Sequence, residues 1–162
     1  MKKTPESAHL RSVFGKFATG VTVVTFRQGE SVSGMTVNSF SSVSLHPPKV
    51  LFCPSLHCRF TEAVEVGGLF TISILAHDQK DVCLHFAGRP CLDVPPWTDS
   101  GDYPPVVEGS LAHIRCELEA MHRHGDHFVA VGRVLSSEVT SQEAPLMFYS
   151  GHYPQMAEKV PE

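Results

Sequence analysis

The chain has 162 residues, 42% of them hydrophobic and 19% charged, which fits a single globular domain, 1–162, with a continuous core. Its net charge is −4 with histidine neutral, and no basic run extends beyond Lys2-Lys3, so nucleic acid is not an expected partner. No apolar stretch approaches the ~20 residues of a membrane span, and the N-terminus lacks the features of a secretory signal.

A helix is predicted near the N-terminus, over about residues 5–17. Thr4 can cap this helix and Pro5 suits its first position. Apolar residues follow at i, i+3, i+4 and i+7, namely Leu10, Val13, Phe14 and Phe17. We expect this stripe to pack against the core.

The next segments predict antiparallel strands. The run "VTVVTF" is β-branched, and "RQGE" supplies a turn before "SVSGMTVNSF", so the two runs form a hairpin. Pro47 and Pro48 cannot donate to a sheet and mark a bend before the apolar strand "KVLFC". A short helix is predicted across "RFTEAVEV", a strand at "LFTISIL", and a helix capped by Asp78 through "QKDVCLHFA".

The C-terminal half begins with a surface loop, 88–109, which is rich in proline and holds the only tryptophan. In "LAHIRCELEAMH", alternation predicts a strand with one solvated face and these residues on the other: Ala112, Ile114, Cys116, Leu118 and Ala120. After a turn at Gly125-Asp126, "HFVAVGRV" returns antiparallel, and Pro145 to Tyr149 form a last strand before a tail, about 155–162, that frays. These hairpins with a few short helices predict a mainly β fold, an antiparallel barrel whose closure removes exposed edges.

One segment of this barrel is unusually polar. In "GMTVNSFSSVSLHPPKVLFC", from Gly34 to Cys53, hydroxyl and amide side chains crowd the first half: Thr36, Asn38, Ser39, Ser41, Ser42 and Ser44. These groups either face water on an edge strand or await a polar ligand, because burying them without partners is costly. A planar ligand with donors and acceptors on its rim, such as a flavin, would satisfy them.

Other chemistry has less support. The chain has no G-x-G-x-x-G after a strand, no P-loop, no H-E-x-x-H and no G-x-S-x-G. The stretch "HRHGDH" gathers imidazoles near a turn, but its spacing fits no standard zinc motif, so we predict no metal site. Five cysteines without C-x-x-C spacing indicate a reduced, cytoplasmic setting.

Four ordered segments carry a family resemblance: "FATGVTVVTF", "GMTVNSFSSVSLHPPKVLFC", "GDHFVAVGRV" and "PLMFYSGHY". Over roughly Leu10 to Tyr153 the chain resembles the flavin reductase family, and it is similar to the small reductase components of two-component flavin monooxygenases. The resemblance implies an FMN-binding split β-barrel and a homodimer. It also implies that FMN, or FAD in some members, is reduced with NADH or NADPH and passed to a separate monooxygenase. The alternative is a barrel that binds flavin without turnover, as a carrier or sensor.

The resemblance also implies roles for individual residues. The segment Thr36, Val37, Asn38 and Ser39 would border the isoalloxazine ring. The segment Ser55 to Phe60 would lie near the ribityl phosphate, where a helix start offers free N–H groups to an anion.

Within that phosphate segment, Ser55, Cys58 and Arg59 are the candidate contacts. Cys58 departs from the Ser or Thr of many relatives, and a thiol is a weaker donor. His127 would orient the nicotinamide rather than transfer a proton, and Phe86 and Tyr153 would lie near the flavin pocket.

Overall fold

A computed structural model describes residues 6–156. Within them the chain forms three helices, α1 (Ser7–Phe14), α2 (Arg59–Ala63) and α3 (Lys80–Phe86). The described strands are β1 (Thr19–Gly20), β2 (Thr22–Gln28), β3 (Ser31–Val37), β4 (Ser41–Leu45), β5 (Pro48–Phe52), β6 (Leu69–Ile74), β7 (Trp97–Thr98), β8 (Val106–Val107), β9 (Ala112–His124), β10 (His127–Val139) and β11 (Met147–Phe148). The longest of these helices has eight residues, so none could cross a lipid bilayer.

Seven strands form one antiparallel sheet in the order β3-β2-β6-β9-β10-β5-β4. Although β3 and β4 are consecutive in the chain, they lie at opposite edges of this sheet. The four residue steps from Val37 to Ser41 can span at most about 14 Å. The two edges must therefore approach each other, so the sheet curls into a barrel and the mainly β, antiparallel prediction is confirmed.

Four phenylalanines fill the barrel. Phe26, Phe52, Phe60 and Phe70 are fully buried, and their rings meet edge-to-face with centroids 5.0–5.7 Å apart. A Cβ on Gly132 would lie 2.5 Å from Phe70 Cζ, so any larger residue there would force the Phe70 ring to move. A second apolar cluster, which includes Val21, Leu75, Cys83 and Leu146, packs α3 against the outside of the barrel.

Buried hydroxyls fasten the loop 88–109 to the sheet. Thr25 Oγ1 donates to the carbonyl of Pro105 at 2.6 Å, and Thr71 Oγ1 donates to that of Pro104 at 2.7 Å. Ser73 Oγ accepts the Val107 N–H at 3.0 Å. The loop therefore does not lie free on the surface, and it contains the small β7–β8 hairpin.

The N-terminal helix differs from its prediction in bounds and packing. It begins at Ser7 after the N-cap Glu6 and ends at Phe14, while the predicted cap Thr4 and Pro5 lie outside the described residues. None of its residues is buried, and Phe14 and Phe17 are 68% and 79% exposed. The expectation that its apolar stripe packs on the core was wrong, because no element of the described chain covers that face.

The other corrections are local. The second helix ends at Ala63 rather than near Gly67, and the third begins after Gln79 rather than Asp78. In β9 the register shifts by one residue at Glu119, and Met121 packs on the core where alternation predicted Ala120. The prediction that the opposite face of β9, with His113, Arg115, Glu117 and Glu119, is solvated was also wrong in part, because His113 is buried. Of the predicted frayed tail, residues 157–162 lie outside the described chain.

Candidate functional site

Three cavities meet at Asn38, an exposed residue in the crossing between β3 and β4. The strand cavity, about 540 Å³, lies between residues 17–22 and 38–41. The α1 cavity, about 560 Å³, lies between residues 11–17 and residues 148–151. The α3 cavity, about 190 Å³, lies between Thr36, Cys83 and Tyr153. We refer to the three cavities that Asn38 lines as the cleft; the two larger ones have the volume of ordinary ligand pockets.

Several hydroxyls predicted to await a ligand already have protein partners. Thr36 Oγ1 donates to the carbonyl of Cys83 at 2.7 Å, and Ser39 Oγ accepts the Cys53 N–H at 2.9 Å. Ser41 Oγ donates to the adjacent Ser42 carbonyl at 3.1 Å. These side chains therefore fix the shape of the crossing segment.

The side chains of Val37 and Asn38 differ in their exposure to solvent. The Val37 side chain is buried in the core, and its carbonyl accepts a hydrogen bond from Thr22 Oγ1 at 2.9 Å. Asn38 is the exposed member of the predicted segment 36–39. Ligand contacts from that segment would consequently come from the Asn38 amide and from backbone groups.

One oxygen beside the strand cavity lacks a partner. Thr19 Oγ1 is enclosed and has no hydrogen-bond partner among residues 6–156, although Thr19 lines this cavity. An unpaired buried hydroxyl costs free energy. Because this oxygen is not accessible from the cavity, a ligand there would contact other lining groups rather than Thr19 Oγ1.

The predicted phosphate segment leads into α2. Cys58 occupies the N-cap with an extended backbone, yet its side chain makes no capping hydrogen bond. Its Sγ lies 3.7 Å from Thr61 Oγ1, which itself donates to the Cys58 carbonyl. Ser55 and Arg59 are exposed. Because α2 has only five residues, its dipole is weaker than the prediction assumed, and anion binding would depend on side chains and individual N–H groups.

His127 lies directly beside this segment. Its backbone bridges to Ser55, and the neighbouring Phe128 N–H donates to the Pro54 carbonyl at 2.8 Å. His127 Nδ1 lies 2.8 Å from Asp126 Oδ1, and the imidazole is half exposed. The hydrogen bond from His127 is the main reason why the pKa of the Asp126 carboxyl lies below its ordinary value. The ionised carboxylate can only accept, so Nδ1 is the protonated nitrogen in this contact.

The two predicted aromatic residues have different surroundings. Phe86 stacks on Trp97 with centroids 4.9 Å apart and does not line the three cavities. Tyr153 lines the α3 cavity, and its hydroxyl lies 3.4 Å from Cys83 Sγ. Burial is the main cause that raises the pKa of Tyr153 to about 12, and it also raises the pKa of the Cys83 thiol. Both groups are therefore neutral at physiological pH.

The structure adds residues that the sequence analysis did not assign to the site. Arg11, Lys16 and Phe17 line the cleft from the N-terminal segment, and Phe148 lines it from β11. Phe17 had been assigned to a core-facing stripe, since a periodic pattern cannot tell a core from a ligand site. Nothing in the local sequence indicated that residues near 15 and 150 would meet.

Comparison with known proteins bears on what this cleft binds. The family model described as flavin reductase like domain matches residues 14–157. The reductase subunit HsaB of a flavin-dependent monooxygenase from Rhodococcus jostii is 43% identical over 148 residues, which cover 88% of this chain and 74% of that protein. An NADH-dependent flavin reductase from Rhodococcus sp. is 42% identical over 151 residues, covering 90% and 84%. The structure of the Streptomyces globisporus NADH:FAD oxidoreductase SgcE6, in complex with NAD and FAD fragments, superposes with a TM-score of 0.88 at 32% identity and covers 96% of each chain.

Proposed function

Because this chain belongs to the family of flavin reductase-like domains, we propose that it transfers a hydride from NADH or NADPH to FMN or FAD. The reduced flavin passes to a separate monooxygenase, the role named for the HsaB reductase subunit. The convergence of three cavities on Asn38 is the structural observation that carries this function, because flavin and nicotinamide must lie in contact. The reaction takes place in the cytoplasm, where the five cysteines, all unpaired, stay reduced.

The strand cavity fits the flavin ring. The exposed Asn38 amide supplies polar atoms at its wall, and Phe17 supplies an apolar surface. The segment Thr36 to Ser39 borders the ring through its backbone and through Asn38. When bound, the flavin accepts the hydride, and the protein contributes alignment.

Ser55, Cys58 and Arg59 hold the flavin phosphate in this proposal. The Ser55 hydroxyl and the Arg59 guanidinium are exposed donors at the start of α2, and the guanidinium adds a positive charge. Cys58 contributes its backbone N–H more than its weak thiol donor. Tyr153 lines the α3 cavity, whereas Phe86 does not line it and instead supports the site through its stacking on Trp97.

His127 orients the nicotinamide. Asp126 accepts the Nδ1 proton and so fixes the orientation of the imidazole beside Ser55. The other ring nitrogen, Nε2, would then be available to hydrogen-bond the nicotinamide carboxamide. No proton transfer by His127 is needed, because hydride transfer moves the hydrogen together with both electrons.

The protein acts as a homodimer. Strand β4 is an edge of the seven-stranded sheet and carries exposed apolar side chains, Val43 at 49% and Leu45 at 80%. Apolar residues on an exposed edge invite pairing with another chain. Sedimentation should therefore give twice the monomer mass, and Leu45→Lys should shift the distribution towards monomer; a wild-type monomer at assay concentrations would contradict this.

A direct assay tests the reductase function. Purified protein is mixed with FMN and NADH, and the absorbance of NADH is followed with FMN omitted as the control. We expect oxidation that depends on both protein and flavin. A protein that binds FMN tightly but leaves NADH unchanged would instead be a flavin carrier or sensor.

A further inference from the structure

The crossing segment that follows β3 is fastened on both sides of Asn38. On one side, Thr22 Oγ1 donates to the carbonyl of Val37 at 2.9 Å. On the other side, Ser39 Oγ accepts the Cys53 N–H at 2.9 Å. Both partners belong to other parts of the barrel, since Thr22 lies in β2 and Cys53 directly follows β5. Asn38 is therefore held between two fixed neighbours.

The hydrogen bond between Thr22 and Val37 is the more deeply buried of these two. Thr22 and Val37 are 3% and 6% exposed, and they form the end pair of the ladder between β2 and β3. A buried carbonyl that loses its donor is costly, because water cannot replace the lost hydrogen bond. The Thr22 hydroxyl therefore ties the end of an edge strand to an interior strand of the sheet.

Peptide geometry carries this restraint to Asn38. The carbonyl of Val37 lies in one plane with the N–H and Cα of Asn38, because the peptide bond between the two residues is planar. Fixing the carbonyl oxygen therefore fixes the plane from which Asn38 projects. Asn38 lines the strand, α1 and α3 cavities. A small rotation of this plane would move its amide relative to any ligand in the cleft.

Strand β2 offers an internal comparison. Thr22 and Thr25 are both buried, and each donates its hydroxyl to a carbonyl of another segment. The acceptor of Thr25 is the carbonyl of Pro105, 2.6 Å away, and Thr25 does not line the three cavities. Valine has nearly the shape of threonine but cannot donate, so Thr→Val at either position removes a buried hydrogen bond. Only the bond of Thr22 ends at the cleft.

We propose that Thr22 is a positioning residue for flavin binding, whose hydroxyl holds the Val37 carbonyl and thereby aims the Asn38 amide into the cleft. This inference rests on the proposed function and adds a residue that acts on the flavin through Asn38. Thr22 also lines the strand cavity, so a direct contact with the flavin is the competing explanation. The two explanations differ in one respect: a residue that acts through the Asn38 amide has no effect once that amide is removed.

A double-mutant cycle makes this distinction. The variants are Thr22→Val, Asn38→Leu and the two combined, and Thr22→Ser retains a hydroxyl at the same position. Thr25→Val is the matched control, since it removes a buried hydroxyl from the same strand outside the cleft. Calorimetry gives the Kd of FMN, and circular dichroism gives Tm for every variant.

We expect Thr22→Val to weaken FMN binding about 5-fold or more and Asn38→Leu to weaken it about 10-fold. The double variant should bind FMN about as weakly as Asn38→Leu alone, rather than about 50-fold more weakly than wild type, the product of the two losses. Thr22→Ser should bind FMN within about 2-fold of wild type. Thr25→Val should lower Tm as Thr22→Val does, yet keep the wild-type Kd.

Multiplied losses in the double variant would overturn the proposal, because they would assign Thr22 to the flavin itself. Equal losses of affinity in Thr22→Val and Thr25→Val would overturn it as well, since a general loosening of β2 would explain both. So would a wild-type Kd in Thr22→Val, no recovery in Thr22→Ser, or no binding of FMN by wild type. If FMN binds but NADH is not oxidised, the cycle still decides the role of Thr22, so failure of the proposed function is distinguishable.

Discussion

Substituting Gly34 tests the packing behind the cleft. A Cβ at this buried position of β3 would lie 2.7 Å from Phe86 Cδ1, 2.9 Å from Phe86 Cε1 and 3.2 Å from Trp97 Cη2. The stacked rings of Phe86 and Trp97 must therefore shift in Gly34→Ala. Overpacking of this kind costs about 1–3 kcal/mol, and each kcal/mol lowers Tm by about 2–4 °C in a chain of this size. We expect a Tm lower by about 2–12 °C.

Two measurements on flavin-free protein check this result. Circular dichroism gives Tm, and the emission of Trp97, the single tryptophan, reports its changed contact with Phe86. Gly20→Ala is the matched control, because a Cβ there meets nothing within 4 Å. In a Phe86→Leu background the penalty of Gly34→Ala should shrink, since the contacting ring edge is gone. A Gly34→Ala protein with the Tm of the control and unchanged emission would refute the reasoning.

Three further outcomes follow from the site. His127→Ala should reduce kcat/KM for NADH by about 10-fold or more while the Kd of FMN changes little, and equal losses in both would refute the orienting role. Cys58→Ser should raise stability in urea by about 0.5–1 kcal/mol, because a hydroxyl can cap α2 where the thiol does not; an unchanged midpoint would contradict this. Ultraviolet titration should show one tyrosine ionising near pH 12, a step that Tyr153→Phe removes. Because the pKa of Tyr153 in the folded protein lies above the unfolded value of 10.0, its contribution to the free energy of unfolding is fully present below pH 10 and is lost as pH rises towards 12. A tyrosine titration identical in Tyr153→Phe would contradict this assignment.

The strands and hairpins could be predicted because their signals are local. The β-branched run of β2, the alternation in β9 and the glycine turns between paired strands depend on neighbours a few residues apart. The register shift at Glu119 could not be predicted, because one extra residue in β9 reverses which side chains face the core. The stripe of α1 predicted a helix correctly, but periodicity does not say what covers an apolar face.

The candidate site residues stay predictions, and they rest mainly on the family resemblance. The partner of Thr36 lies 47 residues away in the chain, and that of Ser39 lies 14 residues away. Whether a hydroxyl is free to bind a ligand depends on such distant hydrogen-bond partners. Composition alone therefore could not decide which of these hydroxyls contact a ligand. The meeting of His127 with Ser55 and the α1 cavity are likewise products of the fold, since they join segments remote in sequence.

The most direct test of the central claim is the rate of NADH oxidation as a function of FMN concentration, in wild type and in Asn38→Leu. If Asn38 lies where flavin and nicotinamide meet, the wild-type rate saturates with FMN. The variant then needs about 10-fold more FMN for half-saturation, because an apolar side chain of similar size cannot hydrogen-bond the ring. Identical half-saturation in the two proteins, or no oxidation that depends on FMN, would contradict the account.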